Sequence, residues 1–205
     1  EIASCLVGSE MCIRDRCYRA LRLNYYAVTG LLARVCLYAG QRENAFNYST
    51  EVIKASNNGI FPFVDRSLVN GTAQDPDRIF SPEVLFALSD SQRGELFEEY
   101  FDPSLAPNMV FRMETDLLEQ TIYGGTGTGG NLDDYRCRSN WISSGSARYF
   151  YKYSDMTESG RIENTMIPLL RLGEMYLIAA ESQSNSLANG VSYLSLIHIS
   201  EPTRQ

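Results

Sequence analysis

The sequence predicts an all-α dominated fold, a superhelix of antiparallel helix pairs carrying long irregular loops and truncated at both ends. Three observations predict it. Met166–Ser182, MIPLLRLGEMYLIAAES, is the longest helical pattern, with Leu172, Met175, Tyr176 and Ala179 recurring at three and four residues along one apolar face. Arg22–Ser56 reads as two helices broken at Gly40. From residue 57 to 165 the periodicity lapses and proline and glycine punctuate the chain.

In the Met166–Ser182 stretch, Pro168 suits the first turn of a helix, where its missing N–H leaves no bond unmade. Gly173 and Ala180, seven residues apart, offer a neighbouring helix a close approach. Arg171, Glu174 and Glu181 form a narrow charged stripe, with Arg171 and Glu174 spaced for an ion pair on the helix face. So greasy a rod is expected to be buried among other helices.

Arg22–Ala39 reads as the first helix of a hairpin, with Leu23, Ala27, Leu31, Val35 and Tyr38 on its apolar side. Gln41–Ser56 reads as the second, with Ala45, Tyr48, Val52 and Ala55 apolar, stopped by Asn57, Asn58 and Gly59. The placement of Leu32-Ala33, Gly40 and Ala45 is that of a tetratricopeptide repeat, although Thr29 stands at the usual early tryptophan position. In the middle region Ile60–Phe80 reads as loop, Glu83–Ser89 as a short apolar helix or strand, and Gly94–Phe101 as a short helix. Leu105–Leu132 shows little periodicity. The alternation of Tyr149, Tyr151 and Tyr153 suggests an extended strand.

The two ends have another character. Cys5–Asp15, CLVGSEMCIRD, resembles a translated transposase sequencing adaptor, and Leu194–Arg204, LSLIHISEPTR, resembles the opposite strand of the same adaptor. Residues 1–16 and 194–205 are therefore set aside from the fold, and both arms are expected to pack on nothing. The remaining segment, 17–193, divides into the hairpin 22–56, the loop-rich middle 57–165 and a second helix pair over 166–193, whose partner helix begins at Val191 and is cut off by the adaptor-like tail.

Composition excludes several function classes. The chain carries 25 acidic and 18 basic residues, a net charge of −7, with no basic stripe, which argues against nucleic acid as a partner. The single histidine, His198, lies in the adaptor-like tail, so segment 17–193 holds no histidine for a triad, a general base or a zinc site. Cys17, Cys36 and Cys137 have neither metal-ligand nor disulfide-framework spacing, and Cys36 reads as a small core residue. No apolar run is long enough to span a membrane. The glycine-rich run 124–130 lacks the Lys-Ser or Lys-Thr of a phosphate loop and reads as surface loop. No cofactor, metal ligand or catalytic residue is expected. Glu174 and Glu181, two turns apart, are a tempting carboxylate pair, but about 10 Å along a helix axis slightly exceeds the spacing of inverting glycosidases.

Three stretches together resemble the SusD/RagB family of bacterial outer-membrane nutrient-binding lipoproteins: RLNYYAVTGLLARVCLYAGQRENAFNYSTEVI over Arg22–Ile53, RIFSPEVLFAL over Arg78–Leu88, and DDYR, Trp141, Tyr151-Lys152-Tyr153 and IPLLRLGEMYLIAAES in that order. The resemblance implies a tetratricopeptide-like superhelix with long loops. It implies a surface-exposed lipoprotein of the outer membrane that captures glycans or peptides and hands them to a TonB-dependent transporter of the SusC type, without catalysis. The family's members are usually much longer and begin with a lipid anchor. The alternative is a tetratricopeptide-type protein-interaction scaffold, with a glycosidase a distant third.

Candidate binding residues come from the polar, aromatic stretch 133–153. A sugar offers an apolar C–H face to an indole and a hydroxyl rim to amides and guanidinium groups. Trp141, the only tryptophan, is flanked by Asn140 and Arg138 and follows the glycine-rich run, so these three are the candidate ligand contacts. Trp141 reads equally as a core anchor. Tyr151 and Tyr153 lean towards the core, while Asp133, Asp134 and Arg136 read as a clasp fixing the start of this segment.

Overall fold

The computed structural model describes residues 19–69, 75–124, 134–157, 160–183 and 190–195. Nearly all of both adaptor-like arms, and residues 125–130 of the glycine-rich run, lie outside the described residues.

Helix α1 (Tyr25–Tyr38) starts where Asn24 caps it, its Oδ1 accepting from the Ala27 N–H at 3.0 Å. The same amide donates from Nδ2 to the Leu85 carbonyl at 3.1 Å, so the cap also fastens the helix to a strand distant in sequence. Gly40, at φ +74, makes the hairpin turn that the sequence assigns to it. Helix α2 (Arg42–Asn57) ends before Gly59, at φ +79. The chain then passes one helical turn, Arg66–Val69, and a 3-10 turn, Ser81–Glu83, into strand β1 (Val84–Ser89). Helix α3 (Arg93–Tyr100), strand β2 (Arg112–Glu114) and a π-helical stretch, Leu117–Ile122, follow. After helix α4 (Tyr135–Asn140) come strands β3 (Trp141–Ser144) and β4 (Ala147–Phe150), a 3-10 turn at Ile162–Thr165, strand β5 (Met166–Arg171) and helix α5 (Leu172–Ser182). Residues 190–195 are helical again, and Tyr193 sets its ring edge-on to Phe46 of α2 at 5.9 Å.

The main core lies where α1, α2 and α5 pack together over β1 and β5, with Ala33, Ala45, Val52, Leu85, Leu170, Leu172 and Met175 in one cluster. The expected face of α5 is buried throughout: Leu172, Met175, Tyr176 and Ala179. Each large side chain so buried contributes about 1.5–3 kcal/mol. On α2, Ala45, Val52 and Ala55 are buried as expected and Tyr48 packs at the cluster's edge.

Four sequence expectations are corrected. Met166–Arg171 is a strand, not the first turns of a helix. It pairs antiparallel with β1, and Pro168 sits opposite Ala87 beside a register irregularity. In a two-stranded ladder a proline can turn its missing N–H away from the partner, and it biases Ile167 before it towards extended backbone. The helix begins only after Arg171, whose φ of −128 and ψ of 155 are those of a strand.

The second correction concerns α1. Its buried side is Ala27, Thr29, Gly30, Ala33 and Cys36, while Leu23, Leu31, Val35 and Tyr38 are exposed, Tyr38 by 87%. The seam is built from small residues because the helices approach closely: a Cβ on Gly30 would stand 3.2 Å from the Met175 Sδ. Gly173, expected to admit a neighbour, has open space around it instead. Third, Glu174 pairs not with Arg171 but with Arg34 of α1, whose Nε and Nη2 donate at 2.6 and 2.7 Å. The Arg171 guanidinium lies over the Phe80 ring at 5.4 Å. Fourth, the strand expected through Tyr149, Tyr151 and Tyr153 stops at Phe150.

Candidate functional site

The stretch around Trp141 is organised by Asp134. Its carboxylate accepts from the Arg136 N–H at 2.8 Å and from the Arg136 guanidinium at 2.5 Å, capping α4 with the expected clasp. Helix α4 then passes directly into β3, with Trp141 already extended at φ −125 and ψ 122. A turn with Gly145 at φ +61 folds β4 back on β3, placing Trp141 opposite Phe150, and β2 joins the far edge to give the order β2-β4-β3. Across the sheet, Arg148 of β4 forms an ion pair with Glu119 of the π-helical stretch.

The helix-to-strand passage separates the three candidate residues. Trp141 is partly exposed, Arg138 is exposed on α4, and Asn140 is 6% exposed. The Asn140 Oδ1 accepts from the Ser139 hydroxyl at 3.2 Å, and its backbone carbonyl accepts from the Tyr151 N–H at 2.8 Å. Its side chain is thus turned into the protein. Tyr123 lies beside the indole. Burial and the charge of Asp134 push its hydroxyl above the ordinary tyrosine value, and a hydrogen bond with the indole N–H pulls it part of the way back.

The structure adds rings that the sequence did not single out. Phe150 meets Trp141 at 5.0 Å between centroids and Phe101 at 5.8 Å. Phe101 in turn meets Phe111 at 5.8 Å, and Phe111 meets Tyr100 at 6.0 Å. These five rings form one connected row from the end of α3 to the start of β3. Phe111 is 64% exposed and Tyr100 is 39% exposed, so the row opens to solvent at that end. Asp102 and Arg112 each follow a ring of the row in the chain, but Asp102 Oδ1 accepts from the Ser104 N–H at 2.7 Å and Arg112 stands opposite Tyr149 in the ladder. The one available sequence signal was the Tyr100-Phe101 doublet closing a helix, and its partner Phe111 lies outside any regular element. Tyr151 instead packs inward against Phe97 at 4.9 Å.

The two carboxylates weighed for catalysis have different surroundings. Glu174 is committed to Arg34, and Glu181, two turns further along the same helix, is exposed. Among the described residues no group of three or more His, Cys, Asp or Glu side chains could hold a metal ion. Cys36 and Cys137 are buried, and burial raises the Cys137 thiol above its ordinary value, which makes it a poor nucleophile. No helix among the described residues is long and apolar enough to cross a membrane.

No protein-family model and no curated protein sequence matches the chain. Solved structures do. A SusD superfamily protein from Bacteroides vulgatus superposes with a TM-score of 0.58 at 22% identity, over 88% of this chain and 41% of that one. A SusD-like carbohydrate binding protein from the same organism gives 0.56 at 17% identity, over 91% and 39%. A SusD superfamily protein from Bacteroides thetaiotaomicron gives 0.53 at 21% identity, over 95% and 47%. The chain therefore spans less than half the length of these proteins, and at such identities the likeness is one of fold. This chain thus has the SusD-like fold, which is helical and tetratricopeptide-like.

Proposed function

We propose that the chain is part of a non-catalytic protein that captures nutrient glycans at the cell surface and hands them to a TonB-dependent outer-membrane transporter of the SusC type. The observation that carries the binding half is the row of five rings ending in Trp141, set on a fold whose solved relatives include a carbohydrate-binding protein. A row of partly exposed rings suits successive sugar faces, because each stacking contact needs only an apolar C–H face. Arg138, exposed three residues before Trp141, then serves the hydroxyl rim. Hand-over, a lipid anchor and the SusC-type partner rest on the family resemblance alone.

The test is a panel of neutral oligosaccharides titrated into the chain and into Trp141→Ala and Phe111→Ala variants. Loss of one stacking ring is expected to cost about 1–3 kcal/mol, by analogy with base stacking on aromatic platforms. Far-ultraviolet circular dichroism should stay unchanged, since Phe111 lies outside regular structure and Trp141 is only partly buried. Binding that survives both substitutions unchanged would remove the ring row from the site.

A further inference from the structure

A separate cavity of about 500 Å³ opens between residues 60–65 after α2, residues 75–84 before β1, and Met156, Arg161 and Glu163 before β5. It shares no lining residue with the aromatic row. Its size falls in the range of about 300–1,000 Å³ typical of small-molecule sites. The wall is largely apolar, with Phe61, Pro62, Phe63, Pro82 and Met156 along it. Phe63 is steadied from behind by Tyr176 of α5, its ring 5.5 Å away.

Six charged side chains line the space, the carboxylates of Asp65, Asp75, Asp77 and Glu163 against the guanidinium groups of Arg19 and Arg161. They are not equivalent. Both oxygens of buried Asp77 are used structurally, Oδ1 by the Ile79 N–H and Oδ2 by the Ser81 N–H and hydroxyl, which hold Phe80 at φ 56. Glu163 is shared with Arg161 at 3.4 Å. Asp65 and Asp75 differ. Each has Oδ1 fixed by a backbone N–H, from Ser67 at 2.7 Å and Thr157 at 3.2 Å, while Oδ2 accepts no hydrogen bond among the described residues. The Ser67 hydrogen bonds hold Asp65 below the ordinary carboxylate value, so it is ionised at neutral pH.

We propose that this cavity is a second binding site and that it takes a sugar carrying a protonated amine. The ring's C–H face lies on the Phe63 and Pro82 wall, and the ammonium meets the open oxygens of Asp65 and Asp75. An anion would be repelled by the excess of carboxylates. A wholly apolar ligand would strip water from two carboxylates and return nothing for it. An ammonium supplies three donors, enough for both open oxygens. That the cation is a sugar rests on the glycan-binding reading above; that it is a cation with an apolar face rests on the cavity itself.

The experiment is calorimetric titration of the whole chain with the β-1,4-linked glucosamine disaccharide, its N-acetylated form, cellobiose and a lysyl-glycine dipeptide. The glucosamine disaccharide should bind, and N-acetylation or its replacement by cellobiose should weaken binding at least about fivefold, the scale of one lost charge-assisted hydrogen bond at a partly exposed site. Asp75→Asn should weaken it similarly. Leu68→Trp, at a half-exposed lining position, should block it while the circular dichroism melt stays in place. Trp141→Ala should leave it unchanged, which separates this site from the aromatic row. Equal binding of cellobiose or of the acetylated sugar, or indifference to both Asp75→Asn and Leu68→Trp, overturns the proposal. Equal binding of lysyl-glycine overturns its assignment to a sugar, whatever the aromatic row then proves to bind.

Discussion

Removing the Arg34–Glu174 pair tests how the helices of this fold are held in register. Arg34 on α1 gives two N–H groups to the two oxygens of Glu174 on α5, at 2.6 and 2.7 Å, and Nη2 also reaches the Leu169 carbonyl of β5 at 2.8 Å. One side chain thus joins three elements. The two side chains are 33% and 30% exposed, so solvent screens the pair but does not abolish it. Fully exposed pairs give about 0.2–1 kcal/mol, and hydrogen bonds to charged groups about 1.5–3 kcal/mol. A bidentate pair one-third exposed should fall between, at about 1–1.5 kcal/mol of coupling. The assay is a double-mutant cycle in urea with Arg34→Met, Glu174→Met and the double variant. Arg34→Met alone should cost more than Glu174→Met, because it also frees the Leu169 carbonyl. A second cycle pairing Arg171→Met with Glu174→Met should show additivity within about 0.5 kcal/mol. If the Arg34 cycle is additive and the Arg171 cycle is not, the helix-face pairing expected from sequence spacing is the real one and the reasoning fails.

Two further predictions follow from single residues. Arg93, 3% exposed, donates from Nη1 to the Glu163 and Met166 carbonyls at 2.6 and 3.2 Å, so Arg93→Met should leave two buried carbonyls unsatisfied and lower the unfolding free energy by about 2–4 kcal/mol. A loss under about 1 kcal/mol in urea would mean that water replaces the guanidinium there. Gly40→Ala should cost about 1–2 kcal/mol through backbone strain alone, since φ is +74 and no atom lies within 4 Å of the added Cβ. A thermal melt unchanged by this substitution would show that the hairpin turn relaxes at no cost.

The helix hairpin was legible because its signals are local: Gly40 and Gly59 both adopt the left-handed backbone that ends a helix, and the α5 face repeats at helical spacing. The faces of α1 were not legible, for a physical reason. Where helices touch closely, the contact seam is made of small residues such as Ala27, Gly30 and Ala33, and the bulky apolar side chains that dominate a hydrophobic pattern point elsewhere. The strand β5 was hidden by a residue with two meanings. Pro168 fits the first turn of a helix and equally the outer side of a two-stranded ladder. The run Met166-Ile167 before it, with its β-branched residue held extended by the proline, was the signal that could have decided between them.

The candidate site was legible only at its one tryptophan, and the cause lies in how the row of rings is assembled. Tyr100 and Phe101 close α3, Phe111 precedes β2, Trp141 opens β3 and Phe150 closes β4, so the rings fall into two stretches, 100–111 and 141–150, far apart in the sequence. What brings them together is strand pairing: the β3–β4 register sets Trp141 against Phe150, and Phe150 reaches Phe101, which already meets Phe111. Sequence adjacency was misleading at the same point. Asn140 is the last residue of a helix and Trp141 the first of a strand, and the change of backbone between them sends one side chain inward to Ser139 while the other stays partly open. Adjacent residues share a face in neither a helix nor a strand. A polar partner for the indole should therefore be sought at an exposed position, with Arg138 ahead of buried Asn140 and Arg112 excluded, since it stands opposite Tyr149 and so on the other face of the sheet from Trp141 and Phe150. Asn140→Ala should then act through stability and leave the glycan affinity of the folded protein unchanged, whereas Arg138→Ala should weaken that affinity and leave the melting temperature in place. The opposite pattern would return the site to Asn140.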